Sequence, residues 1–388
     1  MSGLRLAPPT EADFPSRLRS PSVTSRVGLW LGISFGLCFL TGLISHYAQN
    51  PTQPIPFPTS PSWGYRLTQG IHVVAGTAAV PLLLVKLWSV YPLLFRRPPR
   101  EVRRLVLDGL ERASIAVLVA AAIFQLATGL MNAAQWYPWG FSFRSSHYAL
   151  AWVAIGSLVV HVAVKLPMIR SALGADVEAS DNDRPTAVAA GALSRRGLLR
   201  TTWLAAGVAA LAVAGGTVPL LRKVSLFAVR DGEGPQGLPV NKTAAAARIT
   251  DEMVGADYRL EIVRGDQRVS LTREDLVAMT QRTESLPIAC VEGWSAGAQW
   301  TGVRVRDLLD LVEAPAGAEV EVTSLQPSGP FRRTILQGNF ADDERTLVAL
   351  ALNGQALNRD HGEPARLIAP NRPGVLQTKW LARLEVAL

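Results

Sequence analysis

Two sets of residues in this chain have the types and placement to do chemistry. The first is a single thiol, Cys290, in the run Ser285-Leu-Pro-Ile-Ala-Cys-Val-Glu-Gly-Trp-Ser295. The second is a group of four histidines, His46, His72, His147 and His161, all upstream of that thiol. A thiolate is a nucleophile and a soft metal ligand, whereas a buried thiol in apolar surroundings is inert. The other cysteine, Cys38, sits in an uncharged apolar stretch, so a disulfide with Cys290 is not expected. Glu292 and Trp294, two and four residues beyond Cys290, are the neighbouring side chains that could share in its chemistry.

The histidines lie on stretches apolar enough to cross a bilayer, where an ionisable residue is by default a functional candidate. Imidazole pairs from facing helices hold a haem b iron at both axial positions. His147 and His161 are 14 residues apart, close to four helical turns, and so share one helix face. Depth pairs His46 with His147 near one surface and His72 with His161 deeper. His72 could also reach His147 around a single haem. Gly28, Gly32 and Gly36 repeat every four residues, which reads as ordinary close helix packing. Gly42 and Gly76, one turn from His46 and His72, are placed to clear a macrocycle.

The elements that must position these groups fall into two unlike halves. The chain has 388 residues, 48% hydrophobic, with a net charge of +8, enough length for two or three domains. Five segments approach the roughly 20 apolar residues of a membrane-spanning helix: Val27–Ser45, Leu67–Val90, Ala113–Gln135, His147–Val164 and Thr201–Leu221. Arg17, Arg19 and Arg26 precede the first. Arg96, Arg97, Arg100, Arg103, Arg104 and Arg112 lie around the second connection, while Gln49 to Tyr65 carries no charge. This asymmetry is that of a cell-membrane protein with a cytoplasmic N-terminus, and it argues against nucleic acid as the partner of the positive charge. Five crossings leave the residues after Leu221 on the extracytoplasmic side. Trp63, Tyr65, Trp136, Tyr137, Trp139 and Tyr148 read as an interfacial aromatic belt, and Lys86 and Lys165 as lysines that snorkel to headgroups. Ser194-Arg-Arg-Gly-Leu-Leu199 before the mild fifth span resembles a twin-arginine signal, which exports folded, cofactor-loaded domains; plain positive anchors are the alternative, and the serine before the pair and the two leucines after it favour the signal.

After residue 228 the pattern is mixed α and β. Tyr258–Val263, Arg268–Leu271 and Leu286–Val291 read as strands, Val303–Val312 as a short helix, and Trp380–Leu388 as a closing strand. Thr272 caps a helix with Asp275 three residues on. Asn353-Gly354 between Leu347–Leu352 and Gln355–Leu357 predicts a type I′ hairpin. Phosphate loops, Cys-x-x-Cys pairs and Ser-His-Asp arrangements are absent from this half.

Residues Arg26 to Pro167 resemble bacterial four-helix membrane cytochromes b, through Gln69-Gly-Ile-His-Val-Val-Ala-Gly76, Ser146-His-Tyr-Ala-Leu-Ala-Trp152 and Val160-His-Val-Ala-Val-Lys165. Residues 230–388 resemble the molybdopterin domain of the sulfite-oxidase superfamily. Four stretches carry the likeness: Leu238-Pro-Val-Asn-Lys-Thr-Ala244; Cys290-Val-Glu-Gly-Trp-Ser295 with Trp300-Thr-Gly302; Leu350-Ala-Leu-Asn-Gly354 with His361-Gly-Glu-Pro-Ala-Arg-Leu367; and Thr378-Lys-Trp380. The resemblance implies that Cys290 binds the molybdenum of a single pterin. It also implies that Asn241, on an entry strand, and His361, Arg366 and Lys379 contact pterin or its phosphate. Sulfite-oxidising members follow their cysteine with a polar run containing an arginine, whereas Val291-Glu-Gly-Trp294 is similar to the periplasmic protein-methionine-sulfoxide reductase catalytic subunits. Arg332 and Arg333 could lend an anion site, but adjacent strand residues face opposite ways and solvated surface suits both.

The expected protein is multidomain. A cytoplasmic N-terminus (1–26) leads into an all-α transmembrane cytochrome b-like bundle (27–170). A cytoplasmic linker (171–200) and a fifth helix (201–221) then lead to an exported α+β sulfite-oxidase-type molybdopterin domain (222–388). Electrons from membrane quinone would pass one or two haems b and serve oxygen-atom transfer on a small or protein-borne sulfoxide-like substrate. The alternatives are a sulfite-type dehydrogenase feeding the haems, and a non-catalytic electron-transfer protein.

Overall fold

The computed structural model describes residues 9–181, 183–228 and 234–387. Leu388, the end of the expected closing strand, and Met1–Pro8 of the expected cytoplasmic N-terminus lie outside them. The chain divides into two compact units, one of 1–40 with 72–213 and the other of 41–71 with 214–388.

The first unit is helical. Helices α1 (Pro21–Ala48), α2 (Gly64–Val90), α3 (Val102–Ala133), α4 (Phe143–Gly174) and α5 (Arg195–Ala214) are each long and apolar enough to cross a membrane. All start before the apolar segments expected from sequence, because polar first turns such as Val102–Arg112 continue the helix. The fifth stops at Ala214 rather than Leu221, where residues 215–217 form a turn. Large apolar side chains such as Leu84, Val159 and Leu204 face outward. Inside, Val23, Val27, Leu82, Val177, Leu199 and Ala206 form the core.

Several polar residues are committed more firmly than their sequence suggested. Arg26 donates to the carbonyls of Ala172, Leu173 and Ala175 at the end of α4, where cations offset the orphan carbonyls of a helix terminus. Arg195 is 2% exposed and bonds the carbonyls of Arg17, Val177 and Ala179 and the carboxylate of Asp183. The Lys86 ammonium donates to Thr24 O at 3.0 Å, and a Cβ on Gly28 would stand 2.8 Å from it. Lys165 pairs with Glu111. Of the glycine repeat, only Gly28 meets a neighbour; Gly32 and Gly36 have nothing within 4 Å, so they do not mediate close helix packing.

The second unit carries two five-stranded sheets. Strands are β1 (Leu260–Arg264), β2 (Gln267–Leu271), β3 (Arg282–Ala289), β4 (Ser295–Arg304), β5 (Val320–Ser324), β6 (Arg333–Leu336), β7 (Leu347–Leu352), β8 (Gln355–Ala356), β9 (Arg366–Ile368) and β10 (Leu381–Val386). One sheet has the order β2-β1-β10-β5-β6; the other runs β3-β4-β7-β8, with β9 also paired to β7. Alternate residues of both sheets, among them Ile262, Val322 and Leu384 from one and Val303, Val348 and Leu367 from the other, fill a single core. Two short helices, α6 (Arg273–Ala278) and α7 (Val305–Asp310), lie in the connections. Thr272 caps α6 in a reciprocal box with Asp275, and Asn353 and Gly354 both take the positive φ that a type I′ turn demands.

The connection from Pro51 to Ser60 belongs to this unit. Ile335 N donates to Pro51 O at 2.7 Å, extending the edge of β6. Gln337 bonds Gln53 O and the Phe57 amide, and Arg372 donates to Gln53 Oε1 at 3.1 Å. Tyr65, expected in an aromatic belt, is only 1% exposed and packs with Ala48, Phe57 and Ala289.

Candidate functional site

Strands β3 and β4 form a hairpin whose last ladder pair is Ala289 with Ser295. Beyond it the chain turns at Cys290–Trp294. Gly293 N donates to Cys290 O at 3.1 Å, and Cys290 N to Trp294 O at 2.9 Å. Gly293 has φ of 85°, the left-handed region that suits glycine. The turn therefore presents Cys290 as the first residue after a strand, not within one, and sets Trp294 opposite it. Both are buried.

Cys290 and Trp294 line a pocket with Leu238, Pro239, Asn241, Ile288, Arg366, Gly374 and Lys379. Asn241 reaches it from an irregular loop, not from the expected entry strand. Arg366 opens β9 and is 3% exposed. Its guanidinium lies 5.2 Å from the centre of the Trp300 ring, donates to His361 O at 3.1 Å, and leaves its Nε buried without a partner. Lys379 donates to Lys242 O and Asp360 O. His361 stands behind these cations rather than in the pocket, with Nε2 2.8 Å from Pro235 O.

The charges here are out of balance. Burial brings Lys379 down to about 7, assisted by Arg366, against the attraction of Cys290 and nearby carboxylates. Burial alone takes Arg366 down to about 9, against the pull of Cys290. His361 falls to about 4, mainly by burial, and stays neutral. The thiol of Cys290 is pushed up, by burial first and the Glu292 carboxylate second. Glu292 Oε2 accepts from Cys290 Sγ at 3.4 Å and from Trp294 Nε1 at 2.9 Å. Two buried cations and an orphaned guanidinium nitrogen fit an anionic ligand, and a buried thiol beside a proton acceptor fits a soft metal that displaces its proton.

Leu238, Pro239, Ile288 and Gly374 are lining residues that sequence reading did not single out. Leu238 and Pro239 lay within a quoted stretch, but Gly374 carries no local signal; a Cβ there would stand 2.9 Å from Ala289 O. Arg332 and Arg333 are not at the pocket. Arg333 is exposed beside Glu321, and Arg332 bonds Gln326 O.

The histidines separate. His46 belongs to the unit of the two sheets, and His72, His147 and His161 to the helical unit. There the rings of His72 and His147 lie 6.1 Å apart at 60°. Thr128 Oγ1 is 3.0 Å from His147 Nδ1, Gln125 donates to His147 O, and Cys38 Sγ to His72 O. His161 has Lys86, Lys165 and Glu111 as its charged neighbours.

A buried thiol on a hairpin tip, sharing a pocket with two cations, suits a thiolate-held metal with an anionic organic cofactor. Residues 246–388 match the family described as the oxidoreductase molybdopterin binding domain. Mitochondrial sulfite oxidase of Homo sapiens is 32% identical over 157 residues, which are 33% of this chain and 29% of that protein. NADPH nitrate reductase of Fusarium oxysporum is 28% identical over 136 residues, 32% of this chain and 15% of its own. Among solved structures, the sulfane dehydrogenase of Paracoccus pantotrophus overlays 41% of this chain and 44% of its own, at 23% identity and a TM-score of 0.32. The C-terminal region is a molybdopterin-binding oxidoreductase domain of the sulfite oxidase family, and the non-catalytic alternative loses its basis. The chain spans less than a third of the length of these curated relatives.

Proposed function

We propose that this protein is a membrane-bound molybdenum oxidoreductase that takes electrons from quinol through haem b and reduces a sulfoxide-type substrate. The observation that carries the reading is Cys290, buried at the hairpin tip and facing Arg366 and Lys379. When bound, molybdopterin supplies two-electron oxygen-atom transfer; the residues place and tune it. Cys290 Sγ ligates, and Glu292 Oε2, held by Trp294 Nε1, takes the thiol proton that burial otherwise retains. Arg366 and Lys379 offset the charge of the pterin phosphate, and Asn241 adds a neutral polar contact. With Arg366 and Lys379 engaged by the cofactor, the pocket lining among the described residues offers no further cation to an anionic substrate, which favours a neutral S=O group.

The helical unit supports the electron route. Two metal–nitrogen bonds of about 2 Å, each followed by about 1 Å to the ring centre, set the imidazoles of a bis-histidine haem about 6 Å apart. His72 and His147 have that spacing. Thr128 against Nδ1 leaves Nε2 of His147 for iron, the outer contact that orients such ligands. The five helices would lie in the cell membrane, with Arg96–Arg112 cytoplasmic and the catalytic unit outside.

The likeness to mitochondrial sulfite oxidase favours a second reading, in which sulfite is oxidised and the haem reduced. One spectroscopic experiment on the purified full-length protein separates them. Methionine sulfoxide re-oxidising dithionite-reduced haem supports our reading; sulfite reducing oxidised haem supports the other. Cys290→Ala should lose molybdenum and this response while keeping its haem bands. A protein with no molybdenum, or a variant that still responds, refutes the assignment.

A further inference from the structure

Helices α2 and α4 carry a second pair of polar residues below the first. Fourteen residues on from His72 and His147 stand Lys86 and His161, about 21 Å further along their helices. The four-turn spacing keeps each on the face of its histidine, and Lys86 and His161 are close enough to interact electrostatically. Lys86 uses one ammonium proton on Thr24 O, and it has no other partner among the described residues. Thr24 is itself tied to Ser89 at 3.0 Å, and Ser89 to Lys86 O, so the ammonium is held in place. Gly28 leaves the room the ammonium occupies. His161 makes no hydrogen bond among the described residues. Beside it, Lys165 and Glu111 pair in the half of the bundle that bears the Arg96–Arg112 cluster.

Donors with unused protons at hydrocarbon depth are costly unless a ligand accepts them. That ligand must enter from the membrane, offer carbonyl acceptors, and tolerate proton exchange with the charged mouth formed by Glu111 and Lys165. We propose that Lys86 and His161 bind the headgroup of a membrane quinone. The assignment rests on the quinol-coupled reading above and gives that reading its site. On oxidation there, a quinol releases two protons and two electrons. His161 would accept the first proton, the second would leave at the Glu111–Lys165 mouth, and the electrons would pass singly to a haem held by His72 and His147. At this level the facing pair offers one imidazole, His161, rather than the two of a bis-histidine haem.

The test uses the full-length protein in lipid nanodiscs and the fluorescent quinol analogue 2-heptyl-4-hydroxyquinoline N-oxide. Wild type should quench the probe saturably. Lys86→Met and His161→Phe should each bind it at least tenfold more weakly with haem band intensity unchanged, and decylubiquinol should reduce their haem at least tenfold more slowly. Unchanged binding and reduction in both variants would overturn the site while leaving the quinol-coupled reading intact. Loss of haem absorbance in either would make that residue an iron ligand and also overturn it. A wild-type protein that neither binds the probe nor is reduced by decylubiquinol would remove both readings together. Lys86→Arg, which keeps a cationic donor, should retain binding; if it fails as Lys86→Met does, the role of Lys86 is packing and the proposal falls.

Discussion

At the scale of residues, the cofactor-free pocket stores a cost that depends on pH. Lys379 and Arg366 hold fewer protons folded than unfolded, because burial lowers both. Between about pH 7, where Lys379 titrates in the fold, and its unfolded value near 10.5, the unfolded chain binds more protons, so stability rises with pH. The melting temperature of the molybdenum-free protein should therefore climb by at least about 3 °C from pH 6.5 to 9. Lys379→Met should flatten that climb, and an unchanged slope in the variant would show that another group is responsible. Cys290, Arg366 and Lys379 were legible in the sequence because a thiol and two cations in quoted motifs have few other uses. His361 was legible only as belonging to the region: its imidazole serves Pro235, and no sequence pattern tells a lining residue from one behind the wall.

At the scale of elements, the hairpin bearing Cys290 depends on how closely β4 meets β7. A Cβ on Gly302 would stand 2.0 Å from Val348 O, at the point where the register of the pair shifts. Val348 O is backbone and the new Cβ is fixed to the β4 backbone, so neither can swing aside. Gly302→Ala should cost about 3 kcal/mol or more, read as a lower denaturation midpoint of the catalytic unit, and a near-neutral effect would contradict the observed pairing. The strands of this unit, the box at Thr272 and the Asn353-Gly354 turn follow from local pattern. The 51–60 connection does not. Its charge-free sequence predicts only an outer loop, whereas its partners, Ile335, Gln337, Asn371 and Arg372, lie roughly 280 to 320 positions away. Tyr65 was misassigned for the same reason: its amide bonds Asn371 at 2.5 Å, and its hydroxyl meets Gln49, Gln69 and Ser45.

At the scale of the whole molecule, the catalytic unit is made from two stretches of chain, so the expected border at residue 222 does not describe it. Ser295 N donates to Gly216 O at 2.7 Å, and Arg222 to Ser295 O, which ties residues 216–222 to the strand after the cysteine turn. Replacing Thr52–Ser60 by a Gly/Ser linker of equal length should lower molybdenum retention severalfold and leave haem content unchanged. Full molybdenum content in that variant would show that the connection merely rests on the domain.

That two-part construction sets an order of assembly. Closing a loop of about 280 residues costs roughly 5 kcal/mol of chain entropy, and the two parts are not synthesised together. At about 5–20 residues per second, the 51–60 segment waits roughly 15–60 s for its partners to emerge from the ribosome. The five prolines between positions 51 and 61 suit a strand-edge segment that must wait, since each removes an amide donor and resists premature pairing with a neighbouring chain. Docking of this segment is then a latch: a stiff, uncharged clasp, synthesised early, closes on a domain synthesised late.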